Sequence, residues 1–312
     1  MSATTTASTA GTRAPRAETE RARNENRLGR RLVAPAVIVM LLVTAFPILR
    51  ALWLSFYSYS LTAPDDREFI GLSNYVTALT DSLFWRDIGV TVVYMLVTVA
   101  FELVIGFAFA LVMHRVVFAR GLIRTSILIP YGIITVVSGF AWQFAFTYQN
   151  GFVNSWLPFV PTDFNWFGDT LPAMIAIMVS EIWKTTPFMS LLLLAGLAQV
   201  SDDMVEAAKV DGATWWQRMY KVILPNMRAA IMVAVLFRAL DAYRIFDNIF
   251  VMTAGAEGTE SISFLTYRQS IEQFQLGMGS ALAVLLFLSV LLVAFVIVKL
   301  FRVDLAQARG EG

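Results

Sequence analysis

One apolar segment of the sequence carries four ionisable residues at steps of three, with alternating charge: Arg238, Asp241, Arg244 and Asp247. A charge in the hydrocarbon core of a membrane costs about 2.5 kcal/mol or more unless it is paired or hydrated. These side chains must therefore face protein or a polar cavity. On one continuous helix the four wind around the axis, and the straighter stripe is Arg238, Asp241, Ile245 and Asn248.

This spacing supports two interpretations that can coexist. One face of the helix could bind a polar ligand, with Arg238 and Asp241 in contact with it. Alternatively, Arg238 with Asp241 and Arg244 with Asp247 form an ion-pair ladder that fixes the helix against its neighbours.

A second group of candidate ligand contacts surrounds Pro187 in the preceding apolar segment: Trp183, Lys184, Thr185 and Phe188. Proline removes a backbone donor and can open a helix towards a polar cavity. Aromatic plates beside charged and hydroxyl groups suit a sugar, which has apolar faces and hydroxyl rims. Glu102, in an earlier apolar segment, is a weaker ligand candidate, and an interhelical hydrogen bond explains it better.

Catalytic chemistry is not indicated. The sequence contains neither a GxxxxGKS or GxxxxGKT phosphate loop nor HExxH or GxSxG. It has no cysteine and a single histidine, His114, so thiolate and multi-histidine metal sites are excluded. We therefore expect no catalytic residue, no metal site and no cofactor bound by this chain.

The elements that carry these residues are membrane helices. The chain has 312 residues, of which 57% are hydrophobic and 15% charged, a composition typical of polytopic membrane proteins. Apolar runs long enough to cross a bilayer lie near 33–56, 88–113, 122–147, 172–197, 229–252 and 277–301. The sequence predicts an all-α membrane protein with six transmembrane helices.

Basic residues predict the topology, because Lys and Arg favour the cytoplasmic side. They flank three ends of the apolar runs: Arg27, Arg30, Arg31, Arg115, Arg120, Arg124, Lys299 and Arg302. Loops 57–87 and 148–171 are then external, and 198–228 is cytoplasmic together with both termini. We expect a disordered cytoplasmic tail at 1–30, a transmembrane domain at 31–303 and a short cytoplasmic tail at 304–312.

The cytoplasmic segment 201–225 predicts a helical hairpin. Ser201 can cap a first helix, Asp211-Gly212 can reverse the chain, and a second helix from Thr214 can end before Pro225. A protruding hairpin of this kind could bind in a cleft on another protein. The alternative is an amphipathic helix lying on the bilayer surface.

The residues of this hairpin resemble the signature loop, or EAA motif, of permease subunits of bacterial ABC importers. The matching positions are Glu206, Ala207, Ala208, Asp211, Gly212, Ala213, Leu224 and Pro225. The resemblance implies that the hairpin is a coupling helix seated in a cleft of an ATPase subunit, with Glu206 making the charged contact and Gly212 the turn. Many sugar permeases have a proline four residues after the LP pair, where this chain has Ala229.

Other motifs extend the resemblance from about residue 30 onwards and are similar to carbohydrate permeases of the maltose and trehalose branch. They are Phe69-Ile70-Gly71-Leu72-Ser73-Asn74-Tyr75, Leu128-Ile129-Pro130-Tyr131 and the stretch 181–189. In related permeases the sugar lies between the fourth and fifth spans, which implies contacts at Lys184, Thr185, Phe188, Arg238, Asp241 and Ile245. Arg238 and Asp241 stand where the maltose relative has smaller polar groups.

The resemblance also implies a type I ABC importer permease fold, an inner-membrane location and trehalose as substrate. Its implied partners are a second homologous permease subunit, two ATP-binding cassette subunits that hold ATP and Mg, an extracytoplasmic sugar-binding protein and membrane lipid, but not nucleic acid. From the residues alone, two other classes stay open. One is an ion-coupled transporter or channel that uses the charged fifth span, and the other is a membrane scaffold.

Overall fold

The computed structural model describes residues 20–116 and 119–301. Residues 1–19 of the predicted N-terminal tail and the predicted tail at 304–312 lie outside the described residues. The chain divides into two compact units, Met1–Arg50 and Ala51–Gly312. The first described helix begins at Glu20, inside the segment predicted to be a tail.

The described residues are mostly helical. The α-helices are α1 (Glu20–Leu54), α2 (Ser73–Thr80), α3 (Ser82–Arg115), α4 (Arg120–Gly132), α5 (Thr135–Phe146), α6 (Val153–Trp156), α7 (Thr170–Leu197), α8 (Asp202–Val210), α9 (Trp215–Arg218), α10 (Leu224–Asn226), α11 (Arg228–Ala242), α12 (Asp247–Met252), α13 (Ile262–Tyr267) and α14 (Leu276–Phe301). Two π-helical turns span Met219–Ile223 and Arg268–Glu272.

Within the residues that the structure describes, four helices, α1, α3, α7 and α14, are long and apolar enough to cross a membrane. Two further pairs qualify only if each bent pair counts as one span: α4 with α5, bent by 89°, and the segment Trp215–Asn226 with Arg228–Met252, bent by 70°. The apolar runs of the sequence therefore correspond to four straight candidate spans and two broken ones.

The expectation of an all-α chain was wrong in one place. Strands β1 (Tyr57–Ser60) and β2 (Ala63–Phe69) form an antiparallel hairpin, with Tyr57 opposite Phe69. The guanidinium of Arg67 lies 4.9 Å from the centre of the Trp53 ring and 5.4 Å from that of Tyr57. The hairpin is stabilised by aromatic residues at alternate positions and by the arginine that lies over their rings. A search for helical periodicity in the sequence does not detect such a short hairpin.

The Phe69–Tyr75 motif connects this hairpin to α2. Gly71 has φ +58°, a conformation that glycine adopts without steric cost. The Asn74 side chain donates to the carbonyls of Ser55 (2.9 Å) and Tyr57 (3.0 Å), and the Tyr75 hydroxyl lies 2.6 Å from Ser55 Oγ. The motif therefore ties the end of α1 to β1 and α2.

The fifth apolar run is not one continuous helix. Helix α11 ends at Ala242, the chain turns through Tyr243–Phe246, and α12 starts at Asp247. The predicted helical stripe from Arg238 to Asn248 is therefore wrong as a continuous face. The third run breaks similarly after Gly132, where Ile133 and Ile134 adopt extended backbone angles; β-branched residues favour this conformation.

Helices α3, α7 and α11 form the centre of the second unit. Two buried apolar clusters surround them, one including Met189, Leu193, Met227 and Ala239, the other including Tyr94, Ile177 and Ile249. Polar side chains are buried between the same helices, and they form the candidate site.

Candidate substrate cavity and exposed hairpin

A cavity of about 450 Å³ opens between α4, α5, α7 and the broken fifth run. Its wall combines carboxylates, basic groups, amides and aromatic rings. The lining residues are Tyr131, Thr135, Glu181, Lys184, Thr185, Asp241, Arg244, Ile245, Phe246, Asp247 and Asn248. This composition allows hydrogen bonding in both directions beside apolar surface.

Arg238 lies behind this wall, with an exposed fraction of 1%. Its Nε donates to Glu102 Oε2 at 2.6 Å, and its Nη2 donates to Glu102 Oε1 at 2.8 Å. Nη2 also lies 3.1 Å from Thr185 Oγ1 and 3.4 Å from Glu181 Oε1. A buried guanidinium is stable only when charge partners replace its water, and here they come from α3 and α7.

Two members of this network reach the cavity. Asp241 pairs with Nη1 of Arg238, yet its side chain is 63% exposed. Glu181 accepts a hydrogen bond of 2.6 Å from Asn248 Nδ2. The buried network therefore connects directly to residues of α11 and α12 that line the cavity, Asp241 and Asn248.

Lys184 is 7% exposed and supports the cavity from the side of α4. Its Nζ donates to the carbonyl of Ile133 at 2.7 Å, at the break between α4 and α5. The same ammonium lies 5.7 Å from the Tyr131 ring centre, and Tyr131 stacks on Phe188. A cation at a helix C-terminus satisfies free carbonyls there.

Three sequence candidates do not line this cavity. Trp183 lines a separate, almost wholly apolar groove between α3, α4, α5 and α7, together with Pro187. The proline therefore does not open α7 towards the polar cavity, and α7 continues through it. Phe188 stacks on Tyr131, which does line the cavity. Arg238 is buried behind the cavity wall. The candidates that do line it are Lys184, Thr185, Asp241, Ile245 and Asn248.

The ion-pair alternative holds for one pair and not for the other. Arg238 and Asp241 are paired within α11. Arg244 instead donates from Nε to the carbonyl of Leu240 at 3.2 Å, and the ion pairs found among the described residues do not include Arg244 with Asp247. The break after Ala242 removes the i, i+3 geometry, so both side chains face the cavity.

Glu181 is the main residue that the sequence reasoning missed. It precedes Lys184 by three residues and Thr185 by four, so it shares their helix face. An ionisable residue inside an apolar run is itself a signal of function. Glu102 has the interhelical role that the sequence favoured.

A second buried charge cluster lies at the other end of α3. Arg268 Nη1 is 3.0 Å from Glu260 Oε2, and Arg86 Nη2 is 3.5 Å from the same oxygen and 2.9 Å from Asp87 Oδ1. Burial raises the pKa of Glu260, in the loop between α12 and α13, to about 7. In the described part of the chain, no group of three or more His, Cys, Asp or Glu side chains is placed to hold a metal ion.

The hairpin at 201–226 follows α7. Helix α8 ends at Val210, and the chain reverses at Gly212, where φ is +78°. Thr214 then caps α9 in a reciprocal capping box with Gln217. The sequence predicted the reversal and the two helices correctly.

Pro225 does not end the second helix as the sequence reasoning expected. The π-helical turn at Met219–Ile223 precedes it, and Pro225 lies inside α10. A π-turn shifts the backbone hydrogen-bond pattern by one residue. This shift accommodates Pro225, which has no backbone N–H to donate. The sharp change of direction comes two residues later, at Met227.

The tip of the hairpin is exposed. Glu206, Ala207, Asp211 and Gly212 are exposed, and Val210 has an exposed fraction of 87%. Trp216 and Tyr220 stack on each other and are also largely exposed. Most EAA positions are therefore solvent-exposed, whereas Ala208, Ala213 and Leu224 are half-buried.

Comparison with known proteins identifies the family. Residues 102–305 match the family model described as "Binding-protein-dependent transport system inner membrane component". The chain belongs to this family. It is therefore a multi-pass inner-membrane component of a transport system, and the predicted resemblance to ABC importer permeases is confirmed.

Two relatives are similar over nearly the whole chain. The trehalose transport system permease protein SugA of Mycobacterium tuberculosis is 49% identical over 277 residues, covering 89% of each chain. The trehalose/maltose transport system permease protein MalF of Thermococcus litoralis is 36% identical over 281 residues, covering 89% of this chain and 95% of that protein.

A solved structure shows the same fold. It is the crystal structure of a bacterial ABC transporter involved in the import of the acidic polysaccharide alginate. One of its chains matches with a TM-score of 0.76 at 21% identity, covering 91% of this chain and 98% of that chain. The type I importer permease fold is thereby established for this protein.

Proposed function

We propose that this chain is a transmembrane permease subunit of an ATP-driven ABC importer and that it translocates trehalose. The mixed cavity beside Arg238 carries this proposal. Its volume of about 450 Å³ lies within the range of about 300 to 1,000 Å³ typical of small-molecule sites. The similarity to SugA and MalF, which extends over 89% of this chain in both cases, points to trehalose among the neutral disaccharides.

The proposed arrangement has six spans with both termini in the cytoplasm. In it, α4 with α5 and the segment 215–252 are each one broken span. Broken helices at membrane depth line cavities rather than lipid, and the breaks at Ile133–Ile134 and Tyr243–Phe246 border the candidate cavity. The buried Glu260 cluster and the β1–β2 hairpin then lie at the external end of the helices.

The hairpin at 201–226 couples the cavity to ATP. Its exposed tip binds in a cleft of an ATP-binding cassette subunit. That subunit, and not this chain, binds ATP and Mg. A second homologous permease completes the path, two cassette subunits bind below, and an extracytoplasmic sugar-binding protein delivers trehalose. Closure of the cassette subunits moves the hairpin and α7, and the cavity opens alternately to the two sides.

Uptake of radiolabelled trehalose and maltose tests the proposal, with cells that lack this chain and cells complemented with it. We expect trehalose uptake to disappear on deletion and to return on complementation. Unchanged uptake of both sugars in the deletion strain would refute the assigned substrate. Uptake that survives ATP depletion but stops with a protonophore would refute the ATP-driven mechanism.

A further inference from the structure

Glu102 is a fully buried carboxylate on α3 that lies outside the cavity wall, with an exposed fraction of 0%. Both of its oxygens have partners. Oε2 accepts from Arg238 Nε at 2.6 Å, and Oε1 accepts from Arg238 Nη2 at 2.8 Å and from Thr185 Oγ1 at 2.7 Å. Bidentate pairs of this kind fix the plane of the guanidinium as well as its position.

The guanidinium in turn orients groups that do line the cavity. Its Nη1 pairs with Asp241, whose side chain is 63% exposed. Its Nη2 lies 3.4 Å from Glu181, whose other oxygen accepts from Asn248 at 2.6 Å. A single arginine therefore connects a buried acid on α3 to an accessible acid on α11.

We infer that Glu102 is a positioning residue for sugar recognition, because through Arg238 it holds the Asp241 carboxylate in the cavity wall. There the carboxylate accepts hydrogen bonds from the hydroxyl groups of a neutral sugar. The inference rests on the proposed function, since it assigns Asp241 to the sugar in that cavity.

Competition for one guanidinium explains why Glu102 matters. Three carboxylates, Glu102, Glu181 and Asp241, share Arg238. Without the Glu102 carboxylate, the guanidinium loses the two hydrogen bonds that fix its plane, so Asp241 is no longer held at its position in the cavity wall. In Glu102→Gln, the amide NH₂ also faces an arginine donor, so the original geometry cannot form.

Monodeoxy analogues of trehalose test this relation, each lacking one hydroxyl group. Initial uptake rates at sugar concentrations well below saturation are compared between trehalose and each analogue in cells with the wild-type chain, Glu102→Gln, Asp241→Ala and the double variant. The sugar-binding protein is the same in every strain, so differences between strains come from this chain. Protein amount is measured by immunodetection in membranes.

We expect the wild type to discriminate against at least one analogue. A site built to bind a hydroxyl group rejects the analogue that lacks it. Both single variants should lose this discrimination at the same hydroxyl position, by about tenfold for a hydrogen bond to a charged group. The double variant should show the same remaining discrimination between trehalose and the analogue as Asp241→Ala alone, because both substitutions remove one contact and their effects do not add.

Glu260→Gln is the matched control, since it removes another buried, arginine-paired carboxylate that lies away from the cavity. In Glu260→Gln, the relative uptake rates of the analogues should be those of the wild type, even if fewer permease molecules reach the membrane. The inference is overturned if Glu102→Gln lowers all uptake rates equally, or if its effect persists in full beside Asp241→Ala. A wild type that imports no trehalose would overturn the proposed function as well, which is a separate and recognisable outcome.

Discussion

The cavity wall and the hairpin at 201–226 use charged and polar residues in opposite ways. Around Arg238, side chains from α3, α7 and α11 are buried and bonded to one another across helices. In the hairpin, the side-chain hydrogen bonds join residues of the same segment, such as Arg218 to the carbonyl of Ala213, and the tip is free. A site that recognises a small ligand has its groups fixed before binding. A surface that transmits force to a partner keeps its contacts available for that partner.

The largest effect expected from this comparison concerns the turn of the hairpin. Gly212 has φ +78°, whereas proline is restricted to about −65°. Gly212→Pro should therefore abolish trehalose uptake by misdirecting the tip, while the protein remains in the membrane. Radiolabelled uptake and immunodetection in membranes measure the two quantities.

Gly212→Asn is the control, because asparagine tolerates positive φ and a Cβ at this position meets no other atom within 4 Å. It should retain most of the uptake. Normal uptake by an inserted Gly212→Pro protein would remove the coupling role of the hairpin.

The next effect separates two acids in the cavity wall. Asp241→Ala should lower uptake by about tenfold, because it leaves Nη1 of buried Arg238 without a charge partner and removes a ligand contact. Asp247→Ala should have a smaller effect, since the ion pairs found among the described residues do not include Asp247. Initial uptake rates of the two variants, normalised to protein amount, provide the comparison. Equal tolerance of both substitutions would make the Arg238 network purely structural.

These two regions also differ in how far the sequence predicted them. The spacing from Glu206 to Pro225 was sufficient for the hairpin, because caps, a glycine turn and a family motif are local features. The cavity depends on breaks at Ile133–Ile134 and Tyr243–Phe246, and the apolar periodicity of the two runs does not show where a helix breaks. For that reason the sequence singled out Asp241, Ile245 and Asn248, which line the cavity, together with Trp183, which lines a separate apolar groove, and it missed Glu181.

A smaller effect is expected at the break between α4 and α5. Lys184→Met retains the apolar stem but loses the hydrogen bond to Ile133, which is 2.7 Å long. A hydrogen bond from a charged group contributes about 1.5 to 3 kcal/mol, so the melting temperature of the purified protein should fall by several degrees. Lys209→Met, on the exposed face of α8, should leave it unchanged. Identical melting of the wild type and Lys184→Met would show that the contact does not stabilise the break.

The smallest effect concerns pH and the Glu260 cluster. The pKa of Glu260 is raised from 4.5 to about 7 in the folded chain. A raised acid pKa means that the folded state binds the proton more tightly, so this contribution to stability is complete below about pH 4.5 and is lost as pH rises through about 7. Thermal stability should therefore decline less between pH 5 and pH 8 in Glu260→Gln than in the wild type, which thermal melts of purified protein would measure. Parallel pH profiles would contradict this assignment.

The most direct test of the whole account is the number of trehalose molecules imported per ATP hydrolysed by the complete complex in proteoliposomes. We predict that Glu206→Lys, at the exposed hairpin, sharply lowers this ratio relative to the wild type. Glu68→Lys, the same charge reversal on the exposed strand β2, should preserve it. An unchanged ratio and import rate in Glu206→Lys would contradict the claim that this hairpin couples ATP hydrolysis to the sugar cavity.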